Sequence, residues 1–189
     1  MADYFELLTL PPSAALDEEV LQQAYLKATR SAHPDQVGGD VQLSAELNAA
    51  LETLKSPVTR LKHLIDQLSQ TAWRAIPLDN GLMGLFEKLG PLLQQSAAFL
   101  TRKQAATSAL AKALLAAEEM RLREALESLN DEIETQWQQL LETNLPLCDA
   151  RLTENDASVW LDLQALQARF AYLAKWRAQI RERLLGLML

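Results

Sequence analysis

Between Pro91 and Pro146 the chain holds neither glycine nor proline. A run of this length excludes an all-β architecture, which needs turn residues every 8 to 12 positions. It also exceeds what one helix in a small domain spans, so a turn must lie within it, and the weakest stretch is Thr101 to Ser108. Leu, Ala, Gln and Glu dominate and β-branched residues are sparse, which favours helix throughout. Leu122, Leu126, Leu129, Ile133, Trp137 and Leu140 form one apolar stripe. Trp160, Leu163, Leu166, Phe170, Leu173, Ile180, Leu184 and Leu187 form another at three- and four-residue steps. Such stripes require partner helices. Together with a helix beginning at "GLMGLFEKLGPLLQQ", they predict a three-helix bundle. Within that first helix, Gly90-Pro91 is expected to kink or split the rod, because proline removes a ladder donor and clashes with the carbonyl four residues back.

The N-terminal part is punctuated differently. "DYFELLTLPP" is a short apolar turn or helix halted by Pro11-Pro12. Val20, Leu21, Ala24, Tyr25 and Ala28 then recur at helical spacing, with Asp17, Glu18 and Glu19 at the positive helix start. Proline at 34 disfavours helical backbone at His33, so this helix should end at about Ala32. After "QVGGD", helical period returns through Val41, Leu47, Ala50, Leu51 and Leu54. Two amphipathic helices joined by a loop make an antiparallel hairpin. A further helix is expected with Ser56 as cap and Pro57 at its first position, burying Leu61, Leu64, Ile65 and Leu68. The period lapses over "TAWRAIPLDN". The organisation predicted is therefore residues 1–70 as a hairpin domain, 71–81 as linker and 82–189 as helical bundle.

Several function classes are disfavoured. With 25 acidic against 18 basic side chains the net charge is −7, which speaks against a broad nucleic-acid footprint or an anionic membrane surface. No apolar run reaches membrane-spanning length, and "MADYFELLTL" carries acidic residues where a signal peptide needs basic ones, so a cytoplasmic protein is expected. Cys148 is the single cysteine and reads as a small buried hydrophobe; His33 and His63 lie on different segments without metal-ligand spacing. Neither a nucleophile elbow nor a phosphate-cradling glycine motif is present, so no catalytic residue, metal or cofactor is expected.

His33-Pro34-Asp35 remains. By itself the tripeptide is a helix stop followed by a turn. Placed after an amphipathic helix it can also display a preoriented donor and a carboxylate outside the core, as a docking point requires.

"DYFELLTLPP", Leu21 and Tyr25, the His-Pro-Asp and "ELNAALETLKSPVTRLKHLI" together resemble the J domain of DnaJ-type co-chaperones, and more narrowly the HscB branch that serves iron–sulfur cluster assembly. The likeness lies in order and spacing, with Asn48-Ala49, Leu54, Pro57 and Arg60 in register, and it extends over about residues 3 to 68. It implies that His33, Pro34 and Asp35, with Tyr25, Lys27 and Arg30 on the preceding helix, bind a DnaK/HscA-type chaperone, Asp35 offering its carboxylate to a chaperone arginine. It also implies that Leu82, Met83, Phe86, Glu87 and Tyr172 on the bundle bind a client, an iron–sulfur scaffold protein. Gly90-Pro91 departs from the branch, which continues there with glutamates. A J-domain adaptor for a different client and a helical interaction protein without a chaperone are the alternatives.

Overall fold

A computed structural model describes residues 2–32, 41–154 and 156–188. Among the described residues there are helices and loops but no strand. The elements are α1 (Tyr4–Leu7), α2 (Glu18–Ala32), α3 (Val41–Lys55), α4 (Pro57–Leu68), α5 (Asn80–Ala105), α6 (Ala109–Gln139), a π-helical turn (Leu140–Asn144), α7 (Leu145–Thr153) and α8 (Val159–Met188). Among the described residues no helix is long and apolar enough to cross a membrane.

Local chemistry accounts for the first elements. Asp3 Oδ1 accepts from the amides of Phe5 and Glu6 and starts α1. The single turn ends at Thr9, whose φ of 55° lies in the left-handed region. There the Thr9 amide donates to Glu6 O (2.9 Å) and the Leu10 amide to Phe5 O (2.8 Å), the paired bonds of a Schellman stop in which threonine replaces the usual glycine. Asp17 Oδ1 receives the amides of Glu19 and Val20 and starts α2, which ends at Ala32 as the proline at 34 requires. α2 and α3 run antiparallel. Glu18 at the start of one meets Lys55 at the end of the other (3.8 Å), and at mid-length the Tyr25 hydroxyl donates to Asn48 Oδ1 (2.6 Å).

Leu21, Leu47, Ala50 and Leu54 lie in the hairpin core, joined by Phe5, Leu8, Leu61, Leu64 and Ile65. Three apolar positions read as core lie outside it: Val20, Val41 and Leu68 are exposed. Val41 and Leu68 are the first and last residues of their helices, and Val20 lies in the first turn of α2. Ser56 occupies the cap position of α4 but its side chain makes no cap bond. The last carbonyls of α3 are satisfied instead from α4, by Thr59 Oγ1 on Thr53 O (2.6 Å) and Arg60 on Leu54 O (2.8 Å).

Packing divides the chain into two compact units, Met1–Ile76 with Leu140–Phe170, and Pro77–Gln139 with Ala171–Leu189. Residues 140–170, which periodicity alone assigns to the bundle, thus join the first unit. Buried apolar side chains such as Leu145, Val159, Leu163 and Phe170 and several polar bonds both belong to this stretch. The irregular stretch after Pro12 exposes donors that no helix uses, and Asp149 on α7 accepts them from Ser13 Oγ (2.5 Å), the Ala14 amide (2.5 Å) and the Ala15 amide (3.0 Å). Buried Gln164 on α8 does the same for the chain after α4, donating to Ala72 O and accepting from the Arg74 amide, both at 3.1 Å.

In the second unit α5, α6 and the end of α8 bury Leu82, Leu85, Leu89 and Phe99, then Leu122, Leu126, Leu129 and Ile133, then Leu173, Trp176, Ile180 and Leu187. The turn expected near 101–108 falls at residues 106–108. The helix is not split at Gly90-Pro91, since α5 runs through both residues. Pro91 and Glu87 are exposed, so the Glu87 carbonyl that loses its helical partner at Pro91 faces solvent, which can satisfy it.

Candidate partner-binding surfaces

His33, Pro34 and Asp35, with Gln36, Gly38 and Gly39, lie outside the described residues. The helix that leads to them does not. On α2, Lys27 and Arg30 are exposed, so both basic groups face solvent on the side chain row approaching Ala32. Tyr25 is half-buried, and the hydroxyl bond to Asn48 commits its polar end to bracing α2 against α3. Its structural part is to hold the hairpin rigid.

Two buried polar groups below the hairpin explain why it keeps one geometry. Arg60 is buried, with Nε donating to Ala14 O (3.0 Å) and Nη1 to Leu54 O. Burial pushes its guanidinium down to about 10, while the Asp149 carboxylate works in the opposite direction. One side chain thereby ties the end of α3 and the loop after Pro12 to α4. His63, equally buried, accepts the Tyr4 amide on Nε2 (3.0 Å) and stacks on the Tyr4 ring with centroids 4.7 Å apart. A ring nitrogen that accepts is unprotonated, so the neutral ring carries its hydrogen on Nδ1, which has no partner. Burial lowers the ionisation of this imidazole; Asp3 and Asp66 raise it without reversing the sign. His63 is therefore a structural residue of the hairpin.

On the bundle the residues singled out by sequence separate into two groups. Leu82 is 2% exposed and belongs to the core of α5, so a direct contact through it is corrected: its side chain has no surface to offer. The Leu82 amide is itself held by Asp79 Oδ1 at the start of the helix (2.9 Å). Met83, Phe86, Glu87 and Tyr172 are all exposed, Phe86 by 51%. Phe86 on α5 and Tyr172 on α8 both flank Trp176, at ring centroids of 6.3 Å and 5.8 Å. Trp176 is buried and forms the floor between them. The result is an aromatic patch with Met83 one turn before Phe86 and the Glu87 carboxylate at its edge. Trp176 was missed because the stripe reading steps from Leu173 to Ile180; its spacing of four from Tyr172 on one helix was the available signal.

Two ion pairs lie on the same unit. Lys88 bridges to Glu132 (2.5 Å), and Arg177 binds Glu134 (2.8 Å) while lying 4.9 Å over the Trp137 ring. Cys148 is buried and its thiol is pushed up, by desolvation first, so it is not a reactive nucleophile at neutral pH. Among the described residues no three His, Cys, Asp or Glu side chains converge on a position fit for a metal. What the arrangement can do is bind: two exposed basic side chains toward the end of α2 on one unit, an apolar aromatic surface with a carboxylate on the other.

Comparison with known proteins gives three findings. A "Co-chaperone protein HscB homolog" of Shewanella baltica (strain OS195) is 28% identical over 169 residues, covering 69% of this chain and 94% of that protein. The protein of the same name from Shewanella halifaxensis is 37% identical over 71 residues, 33% of this chain and 41% of that one. In three dimensions the chain matches "Chaperone HscB from Vibrio cholerae" with a TM-score of 0.59, at 18% identity across 96% of both chains, and so shares its fold. No protein-family model matches.

Proposed function

We propose that this HscB-like chain is a co-chaperone that stimulates ATP hydrolysis by a DnaK/HscA-type chaperone through His33-Pro34-Asp35 and delivers an iron–sulfur scaffold protein to it. The observation that carries the reading is that sequence similarity to proteins named HscB covers 94% of the length of one of them, while the shared fold spans both units.

On this reading the chain carries out no chemistry of its own. The antiparallel pair of α2 and α3 sets the base from which the tripeptide leaves, and Lys27 and Arg30 supply local positive charge in a chain that is acidic overall. Asp35 contributes a charge-assisted bond to a chaperone arginine. By binding the hydrolysis-competent conformation of the chaperone more tightly than others, the co-chaperone shifts that equilibrium. The client rests on Met83, Phe86 and Tyr172, where two aromatic rings over a buried tryptophan offer rigid apolar area at low entropic cost, and Glu87 supplies orientation.

The test is steady-state ATPase activity of the partner chaperone with and without scaffold. Asp35→Ala should leave helical content intact and raise the concentration needed for stimulation by about tenfold or more, the equivalent of a hydrogen bond to a charged group worth about 1.5–3 kcal/mol. Phe86→Ser with Tyr172→Ser should spare the stimulation seen without scaffold and abolish the extra stimulation that scaffold brings. Unchanged stimulation by Asp35→Ala rejects the loop mechanism. Loss of neither response in the aromatic variant, with a different protein captured on the bundle, selects the adaptor with another client.

A further inference from the structure

We infer, on the reading of the aromatic patch as the client surface, that Gly90-Pro91 makes Glu87 a receptor for an arginine side chain of the client. The neighbours of Glu87 on its own helix, three and four residues to either side, are Met83, Gly84, Gly90 and Pro91. None of them can donate a side-chain hydrogen bond or supply a positive charge. Lys88, the adjacent cation, is engaged with Glu132 on α6. Among the described residues the exposed Glu87 carboxylate therefore makes no ion pair. Pro91 gives the same residue a second acceptor. Proline has no amide hydrogen, so the Glu87 carbonyl loses the bond that the residue four further on would donate, and both residues are exposed.

Packing does not ask for these residue types. A Cβ on Gly84 or on Gly90 would meet nothing within 4 Å, and neither glycine has left-handed backbone. Glycine and proline both weaken a helix interior, yet here they gather around one carboxylate. Gly90 stands four residues after Phe86 and three after Glu87, and so lies beside both on the helix surface. Lacking a side chain, it leaves a bare shelf between the Phe86 ring and the two Glu87 acceptors.

The chemistry of that shelf selects its occupant. Two oxygen acceptors on one residue, one charged and one neutral, match the planar fork of a guanidinium, which can give an N–H to each. An ammonium is a strongly hydrated point charge without that fork. The guanidinium plane can also lie on an aromatic face, and Phe86 is 51% exposed. An acidic segment would meet the Glu87 carboxylate directly and is disfavoured. Lys175, exposed on α8 three residues after Tyr172, repels a cation from the other side of the patch, so the arginine takes the α5 edge. The occupant is an apolar segment of the client with an arginine at that edge.

Nuclear magnetic resonance of the full, isotope-labelled chain, titrated with the peptide acetyl-Leu-Arg-Leu-amide to about 20 mM, tests it. The arginine peptide should shift the Glu87 carbonyl carbon and the Phe86 ring. The matching lysine and citrulline peptides should bind about two- to fivefold more weakly, the range of one exposed charged contact. Pro91→Ala returns a donor to the Glu87 carbonyl, and should raise the melting temperature while weakening the arginine peptide by about two- to fivefold. A merely structural role for Pro91 would not pair those two changes. Gly90→Leu covers the shelf with a side chain that meets open space, and should weaken the peptide at least as much. Neither chaperone nor scaffold enters the titration, so its outcome is independent of the ATPase responses that test the co-chaperone function. An arginine peptide that shifts neither nucleus, a lysine or citrulline peptide that binds as tightly, or a Pro91→Ala or Gly90→Leu variant with wild-type affinity would each overturn the inference.

Discussion

Thr9 carries a β-branched side chain at φ 55°, a conformation that costs an L-residue roughly 1–2 kcal/mol. The bonds of Thr9 and Leu10 back to α1 hold it there. Thr9→Gly keeps both bonds and removes the steric cost, so it should stabilise the fold by about 1 kcal/mol, offset in part by the entropy of glycine in the unfolded chain; the urea midpoint reads this. His63 makes a pH prediction. Its folded-state ionisation lies below the unfolded value, so the unfolded chain takes up the proton first as pH falls through about 6.5. The contribution of His63 is thus complete above that pH and declines below it, until the folded-state value is passed. Unfolding free energy followed from about pH 7.5 to about pH 5 should fall more steeply for the wild type than for His63→Gln, whose side-chain oxygen can still accept the Tyr4 amide. Equal slopes would show that the ring is not held neutral. At this scale little was legible beforehand: the pattern identified Arg60 as a position in register and His63 as a poor metal ligand, but burial of both depends on the Ala14, Leu54 and Tyr4 backbone groups they meet.

Among the elements, α5 shows how a local rule can be outweighed. Gly90-Pro91 reads as a break because it removes one bond and one good helix former. Yet Leu82, Leu85 and Leu89 before the pair and Ser96 and Phe99 after it lie on the buried face, and burial of both stretches favours one continuous rod. The cost is kept low because the missing bond falls on the exposed side. A Cβ at Gly90 would meet nothing within 4 Å, so Gly90→Ala should gain about 1 kcal/mol and raise the melting temperature by about 2–4 °C. A lower melting temperature would mean that the helix needs glycine's freedom there. Loss of α2 periodicity at His33 and of α5 periodicity after Ala105 were both readable, because each ends where a proline or a cluster of threonine and serine follows in sequence.

In the molecule as a whole, the first unit is assembled from two stretches of chain separated by more than sixty residues. Asp149 is the main polar link between them. Asp149→Ala should strand the Ala14 and Ala15 amides and the Ser13 hydroxyl, and withdraw the negative charge nearest buried Arg60, costing about 2–3 kcal/mol. Chemical denaturation measures the loss; a change under about 0.5 kcal/mol would show that water replaces the carboxylate without cost. Gln164, binding Ala72 and Arg74, repeats the device with a neutral side chain.

The amino-acid order alone determined the helical class, the antiparallel pairing of the first two long helices and the hidden turn before Ala109, because these follow from periodicity and punctuation within a few residues of each site. Tertiary structure decided the rest. Only folding brings Trp176 beneath Phe86 and Tyr172, withdraws Leu82 into the core, and draws residues 140–170 onto the first unit. In each of these the partner is supplied by a distant segment, and a buried polar or aromatic group takes its role from what that segment presents to it rather than from its own neighbours in sequence.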